Sequence, residues 1–128
     1  MSGSLSLTMP RPPSVNAMYQ NAARGRVKTP KYRSWCIVAA CCIPLRFRGA
    51  FVGKYAIEVT VERENKRCRD LDNLIKPISD ALKTSGLIRD DSDCEHITMR
   101  WLDVPKDKAP EVHVTLTEWI NQPPNEGK

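Results

Sequence analysis

The chain has 128 residues, of which 41% are apolar and 6% aromatic, with ten prolines and six glycines. This length supports one domain with its own core, and it excludes a large multi-domain enzyme or a two-lobed cofactor fold. No segment approaches the ~20 apolar residues of a membrane-spanning helix, and the proline-rich, basic start is unlike a secretory signal, so we expect a soluble, cytoplasmic protein without membrane contact.

Charge is divided unevenly along the chain, in which 20 Lys and Arg against 15 Asp and Glu give a net +5. Residues 1–57 contain nine basic residues and no acid, whereas residues 58–128 contain eleven basic and fifteen acidic residues, so the two parts have charges of +9 and −4. Concentrated positive charge suits a polyanion such as nucleic acid, because neutralised phosphates release counterions, although a solvated basic face has the same composition. The candidate DNA contacts in this part include Arg24, Arg26, Lys28 and Lys31.

The cysteines exclude two structural classes. There are five of them, an odd number, and their spacing contains neither a CxxC pair nor a Cys/His ligand cluster. We therefore expect reduced cysteines that pack as small apolar side chains, without a disulfide scaffold or a zinc site.

The first half of the chain contains one predicted strand and one predicted helix. Apolar residues alternate with Ser and Thr over residues 5–9, which predicts a strand. Residues 10–29 are irregular and rich in proline, which indicates a long loop. Thr29 and Pro30 then form an N-cap and a first helical position, and apolar spacings of three and four predict a helix over 30–43.

The second half has the clearest periodicities. Alternation predicts a strand over 52–62, and helical spacing predicts a helix over 72–85 that ends at Gly86. Alternation returns over 97–101 and 112–116, and we expect these two strands to pair as a hairpin.

The order strand, helix, strand, helix, strand, strand predicts a two-layer α+β sandwich. Its two helices would cover one face of a mixed four-stranded sheet. Residues 1–120 would form this single domain, and the polar residues 121–128 a loose tail.

Four aspartates flank the second predicted helix. Asp70 and Asp72 are two residues apart, so in an extended conformation their carboxylates project from the same side, toward the start of the helix. Asp90 and Asp91 follow its other end, ~20 Å away for a helix of this length, so the four converge only if the connecting loop folds back. Clustered carboxylates suit Mg²⁺ or Mn²⁺, but Asp is also common in caps and solvated turns.

Basic side chains accompany the acidic pair. Lys66, Arg67 and Arg69 come immediately before Asp70, the first aspartate of the pair. Lys76 follows Asp72 by one helical turn, where it can either pair with that carboxylate or face a substrate phosphate. Cations beside a metal-binding carboxylate pair suit phosphodiester hydrolysis, because they hold the anionic backbone and neutralise the charge that grows on phosphorus. An ordinary surface ion-pair network has the same composition.

Several segments, in this order, resemble one known family. The run RDLDN, then LIKPISDAL, then an Asp-Asp pair resemble the RusA family of Holliday junction resolvases, which are common in phages and prophages. PPSVNAMY at 12–19 is similar to that family's proline-serine-asparagine loop, and the resemblance extends over residues 5–118. It implies a RusA-like fold and a homodimeric, Mg²⁺-dependent endonuclease, with Mn²⁺ able to substitute and no organic cofactor. Such an enzyme binds four-way junction DNA in the bacterial cytoplasm and nicks two opposite strands symmetrically, in recombination and repair.

The resemblance also implies roles for single residues. It places the family's metal-binding acids at Asp70, Asp72 and Asp91. It places the catalytic lysine at Lys76. Asp90 competes with Asp91 for the third ligand position, and the sequence does not decide between them.

Asn16 matches the asparagine of the family's loop and is a candidate DNA contact, whereas Cys68 stands where some relatives have another basic residue. A non-catalytic nucleic-acid-binding module, in which the acids only cap and solvate, would bind DNA without a divalent metal. A Mg²⁺-dependent nuclease for other DNA structures would cut linear strands as well as junctions.

Overall fold

The structure, a computed structural model, describes residues 3–14, 17–23, 25–63, 71–105 and 107–119. Residues 120–128, which include the predicted tail, lie outside this part. The described residues form the strands β1 (Ser4–Pro10), β2 (Tyr19–Ala22), β3 (Gly25–Lys28), β4 (Tyr55–Arg63), β5 (Cys94–Asp103) and β6 (Glu111–Glu118), and the helices α1 (Pro30–Cys41) and α2 (Ile75–Thr84). Short 3-10 helices occupy Leu45–Phe47, Leu71–Leu74 and Asp91–Asp93.

The main sheet is mixed and four-stranded, as predicted, in the order β1-β6-β4-β5. β4 pairs parallel with β5 and antiparallel with β6. β4 and β5 are parallel because α2 carries the chain back to the end of the sheet where β4 begins, and β5 starts from there. The predicted hairpin of the last two strands is wrong, because β5 and β6 lie on opposite sides of β4. The crossover places β5 on one edge of β4, and β6 pairs with the other.

One face of the sheet and the inner faces of both helices form the core, which confirms the α+β sandwich. β4 begins three residues later than predicted, and its apolar side chains face the helices. The opposite face is polar; there the Ser6 and Thr115 hydroxyls lie 2.9 Å apart, and Arg100 Nε donates to Thr60 at 3.2 Å. Buried core residues include Tyr32, Trp35, Ala39, Ile57, Val59, Val61, Ile78, Leu82, Val112, Val114 and Leu116.

Helix α1 follows its predicted start. Thr29 accepts a hydrogen bond from the backbone N–H of Tyr32, and Pro30 lies in the first turn. Apolar residues surround much of this helix, yet Ile37 and Val38 are 65% and 46% exposed. Part of the apolar surface of α1 is therefore exposed to solvent and does not pack in the core.

The second predicted helix divides into two parts. Residues Leu71–Leu74 form a 3-10 turn, and α2 continues from Ile75. Pro77 is the third residue of α2, where backbone N–H groups have no helical partner to lose. Gly86 ends the segment with φ +77°, a conformation that strains other residues, and a Cβ there would lie 3.1 Å from the Arg48 side chain.

A two-stranded hairpin, β2–β3, replaces part of the loop predicted over residues 10–29. Its strands have four residues each and are mostly exposed, so no buried alternation marks them in the sequence. Gly25, with φ +96°, follows its turn. The Thr29 hydroxyl donates to the carbonyl of Ala17 at 2.6 Å, which ties the hairpin to the start of α1.

The described part of the chain contains four of the five cysteines. Its cysteines Cys36, Cys41, Cys42 and Cys94 are free thiols; Cys36, Cys42 and Cys94 are partly buried, whereas Cys41 is exposed and does not pack in the core as expected. Within the same residues, no helix has both the length and the apolar character needed to cross a membrane.

Candidate active site

The structure describes half of the predicted site residues. Those described are Asp72, Lys76, Asp91, Arg26, Lys28 and Lys31. Those outside the described residues are Asp70, Asn16, Arg24, Lys66, Arg67 and Arg69, whose roles stay predictions.

Asp72 and Asp91 lie at opposite ends of α2. Asp72 is exposed in the 3-10 turn that leads into the helix. Lys83, in the last turn, forms an ion pair with Asp90, with 2.7 Å between Nζ and Oδ1, and so holds the following turn beside the helix C terminus. The ten residues of α2 span ~15 Å. The connecting loop does not fold back, and one chain does not bring Asp72 and Asp91 together.

The turn after α2 contains three aspartates, two of which have strong partners. Asp90 pairs with Lys83 and accepts hydrogen bonds from the backbone N–H and hydroxyl of Ser92, and these contacts hold its pKa well below the usual range. Asp93 is buried and accepts two hydrogen bonds from Arg89, at 3.0 and 2.9 Å. Among the described residues, Asp91 has no ion-pair partner. Its carboxylate is the one in this turn that is available to a ligand.

Lys76 lies in the first turn of α2 with a largely exposed side chain. Its Nζ is 3.3 Å from Oδ1 of Asp80, one turn further along the helix. Of the described acids, Lys76 pairs with Asp80 and not with Asp72. Its ammonium remains open to solvent and to an anionic ligand.

The β2–β3 hairpin and the start of α1 present exposed cations. Arg26, Lys28 and Lys31 are all exposed. The Arg26 guanidinium lies 5.5 Å from the centre of the Tyr19 ring, and Lys28 Nζ lies 5.4 Å from that of Tyr32. Such cation–π contacts orient the side chains without neutralising their charge. The hairpin therefore offers a positive surface for phosphates.

A buried ion-pair network at the end of β4 was not predicted. Glu62 is 4% exposed. It accepts hydrogen bonds from Lys108 Nζ at 2.5 Å, from His113 Nε2 at 2.6 Å and from the backbone N–H of Glu111 at 3.1 Å. The Lys108 contact above all, and then that of His113, lowers the pKa of Glu62 to about 2. The alternation of β4 placed Glu62 on the polar face, and its burial comes from residues distant in sequence.

This network is also a group of potential metal ligands, since atoms of Glu62, Glu111 and His113 lie within 4.8 Å of one another. Mg²⁺ prefers oxygen ligands, whereas this group includes an imidazole and already contains the Lys108 ammonium. Asp72 and Asp91 offer carboxylate oxygens without an ion-pair partner among the described residues, but one chain holds them at opposite ends of α2. We interpret the Glu62 network as an anchor for the residues that precede β6.

Replacing Glu62 by Gln is expected to destabilise the fold by about 2 kcal/mol near neutral pH, because a buried carboxylate with three donors is lost. The folded-state pKa of about 2 lies below the ordinary value of 4.5, so this stability is full above pH 4.5 and is lost as pH falls toward 2. Urea unfolding of both proteins across that range measures it. Glu58→Gln, on the same strand but exposed, is the control, and a difference between wild type and Glu62→Gln that stays constant with pH would contradict the expectation.

Comparisons with known proteins define the family. The family model described as Endodeoxyribonuclease RusA matches residues 10–117. The chain is 30% identical over 118 residues to the crossover junction endodeoxyribonuclease RusA of Escherichia coli K12, and equally to the proteins of that name from strains O1:K1 and CFT073, covering 91% of this chain and 97% of each relative. The chain is a DNA endonuclease. It belongs to the RusA family of Holliday junction-resolving endodeoxyribonucleases, which confirms the resemblance seen in the sequence.

Proposed function

We propose that the protein resolves four-way DNA junctions as a Mg²⁺-dependent homodimer, through paired symmetric nicks. It would act in recombination and repair, in the cytoplasm of a bacterial cell and from a phage or prophage gene. The observation that supports this most is the family match over residues 10–117, which includes both acidic ends of α2 and the basic hairpin.

The proposed metal ligands are Asp70, Asp72 and Asp91. The pairing of Asp90 with Lys83 favours Asp91 as the third ligand, because a carboxylate already held by an ammonium binds a metal at a cost. A bound Mg²⁺ supplies activation of a water molecule and neutralisation of phosphate charge, and Mn²⁺ takes the same oxygen ligands. Arg67, Arg69, Lys66, Asn16 and the hairpin cations would hold the DNA backbone around it.

A homodimer accounts for the separation of Asp72 from Asp91. β5 is the edge strand of the main sheet beside β4, and it begins where the Asp91 turn ends. The 3-10 turn with Asp72 packs against β5, at the opposite end of α2 from Asp91. A two-fold axis that sets two β5 strands antiparallel brings the start of one beside the end of the other. Asp91 of each copy then approaches Asp72 of its partner.

The surface offers apolar area for such a contact. Ile97 and Leu102 of β5 are 50% and 46% exposed. Ile37 and Val38 of α1 are exposed as well, but α1 contacts β1, the strand at the other edge of the sheet. Large apolar side chains that are exposed in one copy are often covered by a partner in an oligomer. Two copies of the site in a two-fold relation also match the two strands that resolution must cut.

Lys76→Ala is expected to slow single-turnover cleavage about 100-fold with little change in junction affinity. The exposed ammonium would act on the charge of the transition state rather than on the bound substrate. Cleavage rates and dissociation constants measured on the same junction separate the two. Equal losses in rate and affinity would make Lys76 a phosphate clamp instead.

Junction affinity is expected to fall steeply with salt. If the dimer neutralises about 6 phosphates with the basic residues before Glu58, the log–log slope is about −5, at ~0.9 per phosphate. Binding titrations with Ca²⁺ or without metal, over a range of NaCl concentrations, give the slope. A slope shallower than about −2 would show that this part of the chain is not the binding surface.

A cleavage assay on a synthetic four-way junction tests the whole proposal. We expect paired nicks with Mg²⁺ or Mn²⁺, none with EDTA, and little cutting of a linear duplex of the same sequence. Binding without metal-dependent cleavage would indicate the non-catalytic module. Equal cutting of the linear duplex would indicate a nuclease for other DNA structures.

A further inference from the structure

The pair Lys76–Asp80 has no evident purpose in the fold. It joins two residues one helical turn apart on α2, with 3.3 Å between Nζ and Oδ1, and its side chains are 68% and 40% exposed. Exposed pairs at this spacing add little to stability. The next cation on the helix, Lys83, is held by Asp90 at 2.7 Å, so Asp80 has Lys76 as its ion-pair partner among the described residues.

Asp80 also has an electrostatic effect on the buried Tyr32. Burial above all, followed by the charges of Cys36, Tyr19 and Asp80, raises the pKa of Tyr32 well above its usual range. Tyr32 is 1% exposed, so it is a fixed neighbour, and its ring lies 5.5 Å from that of Tyr19 in the hairpin. Asp80 therefore pairs with an exposed lysine and also acts on a fixed, buried tyrosine.

We propose that Asp80 is a positioning residue, which holds the Lys76 ammonium in the place from which it acts on the DNA. The proposal rests on the role given to Lys76 in the proposed function. A lysine side chain has four rotatable bonds and, when exposed, samples many rotamers. A carboxylate one turn away restricts that sampling, and displacement of a catalytic group by about 1 Å can cost ~100-fold in rate.

Simple electrostatics predicts the opposite effect for Asp80→Asn. Removing a negative charge beside an anionic substrate favours DNA binding and the approach of phosphate. Loss of positioning instead slows the chemical step while affinity stays the same or improves. The direction of the change in rate therefore separates the two explanations.

The experiment measures single-turnover cleavage and junction affinity for Asp80→Asn and Asp80→Glu, each with Lys76 intact and with Lys76→Ala. We expect Asp80→Asn to be about 10-fold slower at unchanged or tighter binding, and Asp80→Glu to recover part of the rate because it retains the carboxylate. In the Lys76→Ala background, Asp80→Asn should change the rate by less than about 2-fold, because its target is gone. Asp107→Asn, an exposed loop residue with the same change of charge, is the matched control and should cleave at the wild-type rate.

The outcomes distinguish a failure of the role proposed for Asp80 from a failure of the role proposed for Lys76. If Asp80→Asn keeps the full rate, or loses the same factor in the Lys76→Ala background, Asp80 does not act through Lys76. If Lys76→Ala itself cleaves at the wild-type rate, the role assigned to Lys76 fails and the positioning role fails with it. Thermal unfolding of each variant shows whether a lower rate reflects lost structure.

Discussion

Replacing Asp72 by Asn is expected to abolish junction cleavage, by at least ~1,000-fold, while junction binding and thermal stability stay at the wild-type level. Asp72 is exposed in the turn before α2 and has no described ion-pair partner, so the change removes a metal-facing charge and no packing. Asp70→Asn and Asp91→Asn should behave alike if the three aspartates bind one metal. Cleavage at saturating Mg²⁺ and gel-shift affinity on the same junction measure the two quantities.

Asp90→Asn is the informative comparison for this prediction. Asn can still accept the hydrogen bond from Ser92 and cap the short turn, but it loses the ion pair with Lys83. We expect this variant to retain most of its cleavage, which would assign the metal to Asp91. Normal turnover in Asp72→Asn would show that Asp72 is not a metal ligand.

Local pattern was sufficient for most elements and insufficient for their pairing. Alternation and helical spacing located β1, β4, both helices and the last two strands, because each buries one face in a common core. The hairpin predicted for β5 and β6 failed because neighbours in a sheet are chosen by the whole topology. Here the crossover through α2 places β5 beside β4, and only the tertiary structure expresses that constraint.

The sequence proposes residues for the site, whose roles stay predictions, but it does not give their spatial arrangement. The resemblance pointed to Asp72, Lys76 and Asp91 through short motifs, and no motif encodes the ~15 Å of helix between their two ends. Two acids with specific partners also went unnoticed. The alternation of β4 put Glu62 on the polar face, and its burial comes from contacts that are distant in sequence. Asp80 follows Lys76 by one helical turn, a spacing visible in the sequence, but the prediction considered only Asp72 and a phosphate as partners of that lysine.

Two inactive variants are expected to restore cleavage when they share one dimer. The proposed dimer builds each metal site from Asp72 of one subunit and Asp91 of the other, so an Asp72→Asn subunit paired with an Asp91→Asn subunit contains one intact site and one site that lacks both acids. If both acids came from the same chain, every site would lack one of them. Differently tagged subunits, co-expressed and purified through both tags, provide the mixed dimer.

The mixed dimer should nick one strand of the junction at a rate near that of a single wild-type site, and it should not complete resolution, because its second site has lost two of its three proposed metal ligands. Light scattering should give about 29 kDa, twice the 14.5 kDa of the chain, for the wild type and for each variant. A mixture of the two homodimers without subunit exchange is the control and should stay inactive. A mixed dimer of the correct mass that does not nick would contradict the shared site. A wild-type monomer that cuts both strands in one encounter would exclude it as well, because α2 keeps Asp72 and Asp91 of a single chain apart.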